Sequence, residues 1–328
     1  MATEQKRILI AGGAGYIGSR LVPALQERGD EVTVVDLCWF GNNLPEGINL
    51  IKEDIFNLTV EDVKGYDTII FLGGLSNDPM AEYSPALNFI SNGSSPVHLA
   101  YIAKKAGVKK FIYGSSCSVY GFTDSDSVDE TFDVNTEFPY GISKLQGETG
   151  VQQFADDTFS VISFRQGTLS GYSPRMRFDL FINTMYMKAA TTGTITVNNP
   201  AIWRPILTIH DAVGAYIKGI DADINISGVF NIASVNKTVG GVAQEIQSHF
   251  KKVHDADITI VEKDIFDLRN YRVSTQKVQD TLGVVFKGNV ASVLQELDAD
   301  IGLNFDFNQE AHYNIRVFEK LPKTISLS

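Results

Sequence analysis

The chain has 328 residues, 44% hydrophobic and 20% charged, enough for a full core and unlike a disordered chain. Its 28 basic against 39 acidic residues leave a net charge of −11, which argues against nucleic acid as a partner, though a few local arginines could still hold a small phosphorylated ligand. Cys38 and Cys117 offer neither a disulfide framework nor metal-ligand spacing, no signal peptide is visible, and no stretch approaches the roughly 18 apolar residues that span a bilayer, so a cytoplasmic protein with no metal and no membrane contact is expected.

Residues 7–10 form an apolar strand that runs into Gly12-Gly13-Ala14-Gly15-Tyr16-Ile17-Gly18 and then into a helical pattern carried by Leu21, Val22 and Leu25. A strand, a glycine turn and a helix N-terminus suit a pyrophosphate, because bare backbone can approach it and the free N–H groups of the first helical turn hold it. Gly12, Gly15, Tyr16, Ile17 and Gly18 are the expected contacts, although the glycines also fit a register that begins at Gly13. A second strand, 32–35, delivers Asp36, about 20 positions on, where a carboxylate accepts from a ribose 2′-hydroxyl and repels a 2′-phosphate. The cofactor implied is NAD rather than NADP.

Trp39 and Phe40 follow, to cover the adenosine end of that cofactor or simply to pack. A strand at 48–51 leads to Asp54-Ile55, where the acid either meets the adenine or caps a helical segment. Residues 68–72 are a continuous apolar run, as in a central parallel strand, and Leu72-Gly73-Gly74 at its end lets a ligand come close to backbone. A long helix is expected over 85–106 with Gly107 ending it, a strand over 111–113, a helix over 140–155 and a strand over 161–164. This alternation predicts an α/β fold with a doubly wound parallel sheet (Rossmann) and a ligand crevice at the strands' carboxyl ends. The dinucleotide-binding domain is placed at 1–171, with about 204–232 returning to it, and 172–328 are mainly a smaller substrate-binding lobe. Beyond residue 171 helices are expected at 178–192, at 211–220 with Asp211 as N-cap, and at 239–250, 275–282 and 292–301, as interleaved contributions to the two parts.

Tyr140 and Lys144 are four apart on a predicted helix and so lie on one face, a turn from each other. A phenol of ordinary pKa near 10 is a poor base at neutral pH, but a neighbouring cation favours phenolate and makes it a usable one. Upstream, Gly114-Ser115-Ser116-Cys117-Ser118 puts hydroxyls at a strand's carboxyl end, where a substrate oxygen can be held.

Together these motifs resemble the extended short-chain dehydrogenase/reductase family, the sugar-nucleotide epimerases and dehydratases. The resemblance runs from Arg7 to about Ile301 and is carried by Gly12, Gly15, Gly18, Asp36, Asn92-Gly93-Ser94, Ser115-Ser116, Tyr140 and Lys144. It implies that Ser116 hydrogen-bonds the reacting sugar hydroxyl, that Tyr140 removes its proton, and that Lys144 binds the nicotinamide ribose and lowers the tyrosine pKa. It also implies a nucleoside diphosphate sugar as substrate and a homodimer formed through the helices at 85–106 and 140–155. Arg175 and Arg177, after the sixth strand, and Arg204 and Arg269 fall where similar proteins contact the nucleotide diphosphate, with Asn183 a further candidate; surface ion pairs are the alternative for each arginine.

Departures from the family pattern narrow the reaction. In the 4,6-dehydratases an acidic pair follows the serine; here Cys117 and Ser118 stand there, which disfavours dehydration. Ser-Ser-Cys also resembles the 3,5-epimerising members, where the cysteine moves protons beside a later His or Lys, but no partner histidine stands out, which favours reading Cys117 as a small packed residue. Thr168 replaces the family's Asn after the sixth strand. The expected activity is NAD-dependent C4 oxidation of a nucleotide sugar ending in 4-epimerisation. The alternatives are net 4-oxidation, 3,5-epimerisation through Cys117, and a non-catalytic NAD-binding sensor.

Overall fold

β1 (Arg7–Ala11), α1 (Gly18–Glu27), β2 (Glu31–Val35), β3 (Asn49–Ile51) and β4 (Thr68–Phe71) follow one another in the computed structural model, which describes residues 5–123, 125, 127–263 and 270–321. Ile8, Ile10 and Val34 are buried in one core cluster, Leu9, Ala11 and Val35 in another. Successive residues of a strand point to opposite faces, and here helices cover both, which is why these strands read as unbroken apolar runs.

Next come α2 (Asp78–Tyr83), α3 (Pro85–Phe89), a π-helical turn (Ile90–Ser94), α4 (Ser95–Lys105), β5 (Lys110–Ser116), α5 (Pro139–Gln152) and β6 (Ser160–Gln166). The single helix expected over 85–106 is thus interrupted by the π-helical turn. Asn92 sits in that turn, fully buried, with its amide nitrogen 2.8 Å from the Leu75 carbonyl, 2.9 Å from Asn88 Oδ1 and 3.1 Å from Ser143 Oγ. It ties this helical stretch both to the end of β4 and to α5.

The chain continues through β7 (Thr168–Ser170), α6 (Phe181–Thr192), β8 (Thr194–Asn198), β9 (Trp203–Thr208), α7 (Ile209–Asp221), β10 (Gly228–Ile232) and β11 (Val235–Thr238). It then forms α8 (Val239–His254), β12 (Thr259–Lys263), α9 (Gln276–Leu282), α10 (Val290–Asp300) and α11 (Asn314–Phe318). Helix α6 begins three residues later than its apolar pattern suggested, because the Phe178 N–H bonds the His312 carbonyl and its ring packs on Phe307. Asp211 is not the cap of α7. Thr208 caps it, accepting from the Asp211 N–H at 3.3 Å, while the Asp211 carboxylate takes the N–H groups of Lys287 (3.1 Å) and Gly288 (2.8 Å).

Seven strands form one parallel sheet in the order β10-β6-β5-β4-β1-β2-β3. The chain leaves β1 toward β2 and β3, then resumes on its other side with β4, so a crevice opens over the carboxyl ends where the order reverses. Two small sheets, β11-β9-β7 and β12-β8, pack with α6, α8 and α10 around a separate core that includes Ile182, Tyr186, Ile246, Phe250 and Leu294. Among the described residues no helix is long and apolar enough to cross a membrane.

Candidate active site

At the end of β1 the backbone turns at Gly12 with φ +79°, a conformation that strains any side chain, and a Cβ there would strike the Gly73 backbone. Gly13 packs on Val34, whereas Gly12 and Gly15 line the crevice with Tyr16 and Ile17. Of the two glycine registers, the one beginning at Gly12 therefore lines the crevice. Gly18 serves packing, since a Cβ on it would meet the Gly13 carbonyl.

Asp36 accepts from the Ala14 N–H (3.0 Å) with one carboxylate oxygen and from the Cys38 N–H (2.7 Å) with the other, leaving each a further lone pair. Burial pushes its pKa up, opposed by those two N–H bonds and by the Arg175 charge. Asp54, Ile55, Leu72, Gly73 and Gly74 line the same end of the crevice, together with Trp39 and Phe40. Asp54 also caps the turn Ile55–Asn57, accepting from the Phe56 N–H at 2.9 Å, so its two possible roles are compatible. Bare backbone, a helix N-terminus and a carboxylate acceptor are the features that the adenosine and pyrophosphate of a dinucleotide need.

Deeper in, Ser116, Tyr140 and Lys144 line one cavity with Gly114, Gln166 and Thr168. Lys144 Nζ donates to the Gly114 carbonyl at 2.6 Å, which leaves two protons for a ligand, and burial pushes its pKa down to about 7. Burial also pushes the Tyr140 phenol up to about 12, against its hydrogen bond with Ser116 and the Arg177 charge. Arg177 is thus a cation that favours the phenolate here, while the Lys144 ammonium donates to the Gly114 carbonyl.

Glu148, one turn beyond Lys144, underpins this arrangement. Its carboxylate accepts from Ser115 Oγ at 2.7 Å and grips the Arg165 guanidinium at 2.7 and 3.0 Å, and Arg165 donates onward to the Tyr120 hydroxyl at 2.9 Å. Cys117 does not line the cavity. It is 1% exposed, its thiol donates to the Arg165 carbonyl at 3.2 Å, and burial pushes its pKa far up, which is the profile of a packed residue.

Arg175, Arg177 and Arg204 lie along the same cavity. The Arg177 fork is engaged by Asp179 at 2.9 and 3.0 Å, and Asp179 also accepts from Asn77 at 2.9 Å. Arg175 stacks on Phe40, 3.9 Å from the ring centroid, and donates to Asn314 Oδ1, while its buried Nε has no partner among the described residues. Burial pushes its pKa down to about 9. Arg204 donates to the Trp203 carbonyl at 3.1 Å. Asn183 does not reach the cavity: its amide nitrogen lies 3.0 Å from the Arg177 carbonyl and its oxygen accepts from the Gly171 N–H at 3.0 Å, so it fastens the loop that carries the arginines. Arg269 lies outside the described residues.

Asn77, Asp78, Asp179 and Asn314 also line the cavity and were not singled out from sequence. Asn77-Asp78-Pro79, separated by Leu75 and Ser76 from the glycines that follow β4, was a usable signal, being both a helix cap and close to a strand's carboxyl end. Asn314 had none, for it stands 139 residues from the Arg175 it touches.

Residues 8–233 match the NAD dependent epimerase/dehydratase family. A UDP-glucose 4-epimerase of Streptococcus mutans is 28% identical over 178 residues, 51% of this chain and 53% of that protein. The chain spans about half the length of the curated relatives it matches. Among solved structures, MoeE5 in complex with UDP-glucose and NAD superposes with a TM-score of 0.77 at 25% identity, covering 88% of this chain and 96% of that one. A UDP-glucuronic acid 4-epimerase from Bacillus cereus, solved with UDP-glucuronic acid and NAD, has a TM-score of 0.78 at 21% identity over 88% of this chain and 97% of that one, a likeness of fold.

Proposed function

Because the chain belongs to the NAD dependent epimerase/dehydratase family, we propose that it oxidises the C4 hydroxyl of a nucleoside diphosphate sugar and then reduces the ketone on either face, a net 4-epimerisation. The observation that carries this reading is the single cavity shared by the glycine turn, by Ser116, Tyr140 and Lys144, and by Arg175, Arg177 and Arg204. In it Tyr140 takes the hydroxyl proton and later returns it, and Ser116 holds the sugar oxygen. Lys144 offers its two remaining protons to the nicotinamide ribose, Asp36 accepts from the adenosine ribose, and the arginines meet the diphosphate. Bound NAD supplies the acceptor and donor of the hydride. The NAD complexes of MoeE5 with UDP-glucose and of the Bacillus cereus enzyme with UDP-glucuronic acid support a uridine diphosphate sugar. The same reading pairs two copies through α4 and α5, where the Tyr101 ring is exposed.

Turnover of nucleoside diphosphate sugars in deuterated water tests the reaction. The 4-epimer should form with its carbon-bound hydrogens unexchanged, since hydride stays on the cofactor between the two half-reactions. Deuterium at C3 or C5, a 6-deoxy-4-keto product, or stoichiometric NADH would each overturn 4-epimerisation.

Cofactor choice is tested separately. The Asp36 carboxylate should make NAD bind at least about tenfold tighter than NADP, ~1.4 kcal/mol, in a calorimetric titration. Equal or tighter NADP binding would contradict the role given to Asp36.

A further inference from the structure

On the lobe built from α6, α8 and α10 lies a cluster that the reaction does not use. His249 Nε2 is 2.6 Å from Asp298 Oδ2, His254 Nε2 is 2.9 Å from Asp298 Oδ1, and one ligand atom from each of the three lies within 4.8 Å of the others. Tyr186 donates to the same carboxylate at 2.7 Å. We propose that His249, His254 and Asp298 bind one divalent transition-metal ion, zinc above all, which clasps α8 to α10.

The donor set selects the ion. Two imidazoles and one carboxylate suit zinc and its first-row neighbours, whereas magnesium and calcium want shells of oxygen. Three protein ligands leave a fourth tetrahedral position to water. Zinc bonds of about 2.0–2.2 Å put tetrahedral ligands roughly 3.3–3.6 Å apart, so the two His–Asp contacts need open by no more than about 1 Å, within reach of side-chain rotation.

Three features of the surroundings favour a cation. The side chains of His249, His254 and Asp298 are 12%, 17% and 18% exposed, sheltered from bulk water yet reachable through a surface pocket that Ser248, Lys252 and Gln295 help to line. His254 is the last residue of α8, so the negative end of that helix's dipole lies beside the site. Tyr186 holds the carboxylate from behind, as outer hydrogen bonds hold metal ligands in place. Lys252 opposes a cation, but it is exposed and its charge is screened by solvent.

The test uses the full chain, stripped with EDTA and dialysed, then titrated with zinc chloride by calorimetry and with cobalt chloride by visible absorption. Expected are one zinc per chain with Kd below about 10 µM at pH 7.5, d–d bands of a four- or five-coordinate cobalt site, a higher melting temperature with zinc, and no competition from magnesium. His249→Gln and His254→Gln, each checked for folding by circular dichroism, should weaken zinc at least about tenfold. Zinc binding weaker than about 10 µM, or equally tight in both variants, would overturn the proposal and leave a hydrogen-bonded His–Asp–His clasp held by protons alone.

Discussion

Tyr140→Phe is expected to lower turnover by on the order of 10²–10⁴-fold, the range that a positioned general base contributes, while NAD affinity stays within about twofold of the parent. The change removes one oxygen from a ring in the first turn of α5, and no cofactor contact is assigned to that oxygen. The phenol needs help to act as a base, since burial holds it at about 12, and the groups that oppose burial are Ser116 and the Arg177 charge. Arg177→Met should therefore move the ascending limb of the pH–rate profile to higher pH as well as weaken substrate, because the phenolate loses a favouring cation. Lys144→Met should behave differently from both, with lower turnover and weaker NAD binding, because the ammonium whose protons are free for the ribose is removed. Rate and affinity measured on the three variants separate these roles. Near-normal turnover in Tyr140→Phe would dismiss the tyrosine as the base and with it the main argument for a dehydrogenase-type site.

Glu148→Ala is expected to destabilise the fold by ~3–5 kcal/mol, read as a lower denaturant midpoint, because it strands the Arg165 guanidinium in the interior. Glu148 and Arg165 side chains are 4% and 6% exposed and make a bidentate contact, so neither charge can turn to water when its partner is lost. The pair joins α5 to β6, and through Ser115 it reaches the end of β5, so local loosening should also displace Ser116 and Tyr140. The double change Glu148→Leu with Arg165→Met should recover much of the lost stability, since no buried charge is left unpaired, the remaining cost being the Ser115 hydroxyl's lost acceptor. A loss below about 1 kcal/mol in Glu148→Ala would mean that water reaches Arg165 and that the pair is not the buried tie described.

The α/β fold and the NAD-binding turn were legible in the chain because both are local. A strand, three glycines, a helix start and an acid one strand later are set by backbone sterics and by burial on both sheet faces, and each leaves its mark within a few tens of residues. The spacing of Tyr140 and Lys144 is local in the same way, being one helical turn. The interruption at Ile90–Ser94 was not legible, since the bonds that reward it come from Leu75 and Ser143, on other elements. Cys117 and Asn183 show the same limit: a cysteine beside the serine proposed to hold substrate and an asparagine on a helix face could each serve a ligand, and only packing decided that their polar atoms are taken by the Arg165 carbonyl and by the loop at Gly171. Arg175 and Arg177 read as two equivalent forks, yet Asp179, itself held by Asn77, engages one while Asn314 and Phe40 leave the other a buried N–H to spare. Residue type and spacing thus determined the fold and the family to which the chain belongs. Which polar atoms remain free was decided by contacts between distant segments, because a buried donor or acceptor is satisfied by whatever the fold brings to it and sequence proximity does not choose that partner.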